Sequence, residues 1–162
     1  MTELQSRILG PIVLDGGVGG GAMEATIPFA GAEIAVRLEI DHPDRLDQQL
    51  IDDLDVVLDD TEIPDRLARD AIAALLPREG SAPAMLRSDW EQRQGAGRGA
   101  DEFLADLRAT TMVLTPDGGR EHRDRVVLRY GVADGSLRDE ITVRLPARSR
   151  GPEVDGVLRP RR

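Results

Sequence analysis

The chain has 162 residues, enough for one domain, and its 30 acidic against 21 basic residues give a formal net charge of −9. It contains no cysteine, which excludes disulfides and thiolate metal sites and suits a reducing compartment. No apolar run approaches the roughly 18 residues of a membrane span, and Met1 to Leu14 lacks a signal-peptide pattern, so the expectation is one cytoplasmic domain over 1–162 that touches no membrane.

In chain order, Ile8 to Leu14 is a β-rich run, and Asp15-Gly16-Gly17 with Gly19-Gly20-Gly21 supplies a flexible hairpin connection to Met23–Phe29. After a turn at Gly31, Ile34, Val36, Leu38 and Ile40 alternate with Glu33, Ala35, Arg37 and Glu39. That period of two predicts a strand with one dry and one wet face. At Asp41-His42-Pro43-Asp44 the period changes: Asp41 or His42 can cap a helix, Pro43 suits its first turn, and Leu46, Leu50, Ile51, Leu54, Val57 and Leu58 fall on one stripe. Thr61 and Pro64 start a second helix with Leu67, Ala68, Ala71, Ile72, Leu75 and Leu76 inward, ended by Pro77. The pair reads as an αα-hairpin on the dry face of the sheet.

Residues 78–99 read as an irregular or partly helical insert, with a short helix from Pro83 through Trp90 and a hinge at Gly95-Ala96-Gly97-Arg98-Gly99. Asp101–Arg108 is a short helix. A β-meander follows: Thr111–Thr115, a turn at Pro116-Asp117-Gly118-Gly119, Arg125–Val132, a turn at Ala133-Asp134-Gly135-Ser136, and Glu140–Leu145. Glu153–Leu158 adds an edge strand and 159–162 fray. The expected class is α+β, with an antiparallel sheet of about six strands and an αα-hairpin and a short helix packed on one face.

This order of elements resembles small, uncharacterised bacterial domain families in which a strand pair ends in a Pro-Phe-x-Gly-like turn before a charged strand, two helices and a meander. The matching stretches are Ile27-Pro28-Phe29-Ala30-Gly31, Ala32–Ile40, the helix pair, and Asp117-Gly118 leading into Arg125–Tyr130 and Glu140–Leu145. Some members of such families are grouped with immunity proteins that neutralise toxins exchanged between bacteria. The resemblance therefore implies a protein-binding, inhibitor-like role, and it carries no catalytic residues across.

Charge points the same way. Ten acids lie between Asp41 and Asp65 against Arg45 alone, which repels nucleic acid and favours a basic protein partner. Helical geometry is read as placing Asp52, Asp55 and Asp59 on one face opposite the apolar stripe, a candidate binding surface. Arg125 and Arg129 on the wet strand face are candidates for gripping carboxylates, and Trp90 is either a core lid or an exposed anchor. No catalytic residue, metal ligand or cofactor is assigned. His42-Pro43-Asp44 reads as a helix start, Gly17-Val18-Gly19-Gly20-Gly21-Ala22 leads into a strand rather than a phosphate-binding helix, and Asp53 onward meets Val57 and Leu58 where calcium ligands belong. The alternatives are a small hydrolase using His122 with nearby acids, and a homodimer formed through the sheet edge.

Overall fold

The computed structural model describes residues 3–13, 21–95, 97–117, 124–135, 137–146 and 153–157. Two short strands, β1 (Gln5–Ser6) and β2 (Gly10–Pro11), form a hairpin of their own. Then come β3 (Gly21–Phe29), β4 (Ala32–Ile40), a 3₁₀ turn (Pro43–Arg45), α1 (Gln48–Asp59), α2 (Glu62–Leu75), α3 (Ala82–Gln94) and α4 (Ala100–Asp106). The chain closes with β5 (Leu107–Leu114), β6 (Asp124–Val132), β7 (Glu140–Pro146) and β8 (Glu153–Val157). The fold is α+β, with strands β3 to β8 adjacent in chain order in one sheet.

Alternation builds that sheet as expected along β4, where Ile34, Val36, Leu38 and Ile40 are buried while Glu33, Ala35 and Arg37 are exposed. The β3–β4 link has two residues, Ala30 (φ 47°) and Gly31 (φ 83°). Two successive positive φ values mark the type I′ geometry that matches strand twist. Glycine adopts it freely, whereas alanine is strained there.

Two expectations are corrected. The sheet is not wholly antiparallel, because β4 and β5 run parallel, Ala35 facing Thr111 and Leu38 facing Leu114. A parallel neighbour requires a long crossover, and the whole helical segment supplies it. Nor do α1 and α2 lie side by side as an αα-hairpin: α1 meets the β1–β2 hairpin, whereas α2 packs on α3, α4, β7 and β8. The reason lies in α2's buried line, Pro64, Ala68 and Ile72, continued by Leu76 at the C-cap. This line keeps Ala68, Ile72 and Leu76 of the predicted stripe but is centred on Pro64's side of it, so Ala71 and Leu75 are half-buried and Leu67 is left 46% exposed.

Smaller differences concern ends. Leu46, extended (φ −80°, ψ 122°), separates the Pro43 turn from α1. Asp47 caps that helix, its carboxylate accepting from the Leu50 amide at 2.9 Å. Ile8 sits in the turn between β1 and β2 rather than in a strand. Most of the 78–99 stretch is helical, capped by Ser81 and ending at Gly95 with φ 101°. Strand β5 begins at Leu107, directly after α4. The glycine connection at 15–20, Ala96, Gly118 and Gly119, Ser136, Leu158 and the 159–162 tail lie outside the described residues.

The core is one cluster joining the inner sheet face (Val36, Leu38, Met112, Leu128 and Val143) to Leu54, Ile72, Trp90 and Phe103 of the four helices. Fully burying each such side chain contributes about 1.5–3 kcal/mol. No helix among the described residues is long and apolar enough to cross a membrane.

Candidate functional site: the acidic helix and the sheet faces

The acidic surplus divides into two groups. Asp55 is fully buried, accepting from the Ser6 hydroxyl and, at 2.7 Å, from the Arg7 amide. Ser6 Oγ in turn accepts from the amides of Ile8 (3.1 Å) and Leu9 (2.8 Å), so its one proton goes to Asp55. Asp59, still half-exposed, bonds the Arg7 guanidinium at 2.8 Å. That bond, with the charge of Asp59, raises Arg7 above its ordinary pKa. Gln48 ties the same segment down from the other side, donating to Gln5 O at 2.8 Å while its Oε1 accepts from Gln5 N.

Asp55 is therefore not on a partner-facing surface, and the sequence-based assignment is corrected. Ile51, Leu54, Asp55 and Leu58 stand at i, i+3, i+4 and i+7, the spacing of a single buried face. Asp55 belongs to that face and faces inward rather than opposite it. Asp59 is drawn into the same internal dock, while Asp52, accepting from Gln48 at 2.8 Å, stays exposed. Asp65 is also committed internally: it pairs with Arg69 (3.0 Å) and accepts from the Tyr130 hydroxyl (2.7 Å). Arg69 reaches on to the carbonyls of Leu104 and Leu107, each at 2.9 Å. Burial, reinforced by that bond to Asp65, pushes the Tyr130 phenol far above its ordinary value.

What remains outward near the α1–α2 corner is Asp52, Asp53, Asp60 and Glu62, accompanied by three large apolar side chains that sequence reading missed. Val56 is 66%, Ile63 48% and Leu67 46% exposed. A signal was present: Ile63 and Leu67 are one turn apart on α2, offset from the Pro64, Ala68, Ile72 line.

Trp90 is a core residue, wholly buried. Its indole nitrogen donates to Asp106 at 2.9 Å, and its ring meets Phe103 edge-on at 5.5 Å. It cannot anchor a partner. Arg125 stands in β6 at the register shift between Asp124 and Val126, its side chain outside the described residues, as is His122. Arg129 lies half-buried on the outer sheet face, the side away from the core cluster.

A cleft of about 490 Å³ opens between the α2–α3 turn and the β7–β8 edge, with Arg78, Glu79, Asp89, Asp139 and Glu140 around Met85 and Val154. Its one hydroxyl, Ser81, donates to Leu75 O at 2.7 Å and accepts from Ala84 N. This engagement in capping leaves it unsuited to act as a nucleophile. Among the described residues no cluster of three or more histidine, aspartate or glutamate side chains is placed to hold a metal. No family model matches the sequence, and neither a curated protein nor a solved structure matches it.

Proposed function

We propose that the chain is a non-enzymatic protein-binding domain of the immunity-like inhibitor or accessory kind, which presents its α1–α2 corner to a basic partner. One observation carries this reading: Val56, Ile63 and Leu67 are exposed in the same stretch that leaves Asp52, Asp53, Asp60 and Glu62 outward. Scattered single apolar residues are ordinary on a surface, but three within twelve positions among mainly acidic neighbours, with Arg66 the one exposed base between them, fit a recognition patch. The apolar side chains would supply the desolvated centre and the carboxylates the rim that steers a cationic surface into register.

The reading is tested by affinity capture from cells with the wild type, with Ile63→Asp/Leu67→Asp, and with Asp52→Arg/Asp53→Arg. A basic partner held by the wild type and lost by the apolar pair is expected. The charge-reversed pair should slow association about tenfold at low salt, with the gap closing as ionic strength rises. Identical captures by all three chains would sink the proposal.

A further inference from the structure

The sheet has a second face. Helix residues join the core through the row Met112, Leu128 and Val143, so the alternate residues Thr111, Arg129 and Thr142, in register across β5, β6 and β7, point the other way. Ala35 and Arg37 of β4 are exposed on that side.

This row is polar yet poorly satisfied. Arg129 Nε, Thr111 Oγ1 and Thr142 Oγ1 are buried atoms without a hydrogen-bond partner, as is Glu140 Oε2, and Thr142 is only 3% exposed. No ion pair engages the Arg129 guanidinium among the described residues. Arg37 on the same face, by contrast, holds Glu24 and Glu39 at 3.1 and 2.8 Å. In a chain with nine more acids than bases, a half-buried arginine left without an ion pair among the described residues is the anomaly. Native folds complete such groups, within the chain or from outside. Guanidinium only donates and each threonine hydroxyl can donate, so three donors stand against one unsatisfied acceptor, Glu140 Oε2, and the ligand that balances them is one rich in acceptors.

We propose that Arg129, with Thr111 and Thr142 beside it, receives a carboxylate from an acidic peptide segment laid across the outer sheet face. A forked guanidinium–carboxylate pair suits this position. Val113 and Val127, half-buried in the neighbouring register row, offer apolar surface to the residues flanking that carboxylate. The negative surplus of the chain disfavours multiply charged phosphates relative to a single carboxylate. The site is independent of the α1–α2 corner and stands or falls separately.

The test follows the Arg129 Nε–Hε resonance of the intact chain by NMR during titration with acetyl-Val-Glu-Val-amide, its glutamine counterpart acetyl-Val-Gln-Val-amide, and succinate. The glutamate peptide should shift that resonance saturably and move the Val113 and Val127 methyls, with the glutamine peptide about tenfold weaker. Arg129→Gln should abolish the methyl shifts. Equal binding of the two peptides would overturn the proposal. Succinate binding as tightly as the peptide would overturn the peptide assignment, since the valine contacts would then add nothing. Glu140, which accepts from Thr110 at 3.1 Å on this same face, offers an internal competitor. If Glu140→Gln moves the Arg129 resonance while the peptide does not, the arginine turns inward in solution and the site does not exist.

Discussion

Replacing Asp55 with alanine removes the acceptor that holds Ser6 and the Arg7 amide against α1. Two hydrogen bonds to a charged group contribute about 1.5–3 kcal/mol each, and the desolvation that the buried carboxylate no longer suffers is recovered. The net loss works out at about 2–4 kcal/mol. With a urea slope of about 2 kcal/mol/M, the unfolding midpoint falls by about 1–2 M. Asp55→Asn keeps an acceptor for Arg7 and loses the charge, so it should cost roughly half as much. Hydrogen exchange localises the damage: the Ile12 amide, bonded to Leu4 O at 2.9 Å across the hairpin, should lose protection before the β5–β6 amides do. An unfolding free energy for Asp55→Ala within about 0.5 kcal/mol of wild type, or exchange that quickens equally everywhere, would refute the reasoning that this one carboxylate fastens the N-terminal hairpin.

The remaining predictions concern the strand end of the molecule. Tyr130 is the chain's only tyrosine and its phenol is raised by burial and by the bond to Asp65, so its contribution to stability is whole below about pH 10 and is lost as pH climbs beyond that. Absorbance at the phenolate band should stay flat until alkaline unfolding, and Tyr130→Phe should flatten the alkaline stability profile at a cost of about 1.5–3 kcal/mol near neutrality; a free titration near pH 10 in the folded chain contradicts the burial. Ala30→Gly or Ala30→Asn, relieving a residue held at φ 47°, should raise stability by about 1 kcal/mol in urea melts, and a loss would show that the β3–β4 turn is not of the mirror-image type.

Elements with strong local patterning were legible in the residues. Period two along Ala32–Ile40 and the proline cue at Pro64 placed a strand and a helix within a residue or two, although Thr61, in helical conformation, makes no capping hydrogen bond through its side chain. What failed was pairing. Nothing in the composition of Leu107–Leu114 says that it lies parallel to β4, because register and direction are decided by what the intervening helices cover. Asp55 failed for a different reason: a charge was assumed to face water, although its spacing from Ile51 and Leu58 put it on the apolar side. Its companion Ser6 lies 49 residues away, beyond any local window. That Arg129 has no ion pair among the described residues could not be read at all, since arginine in an alternating strand looks alike whether a carboxylate answers it or not.

The parallel seam between β4 and β5 also sets an order of events during synthesis. The β3–β4 ribbon can close on itself as soon as it leaves the ribosome, yet its second edge must wait until every helix and the start of β5 have emerged. Closing so long a loop is slow, and in that interval the free edge of β4 is a template for wrong strands while its dry side, with Val36, Leu38 and Ile40, stays bare. Slowing translation beyond Asp106 should thus lengthen a sticky intermediate rather than help the chain.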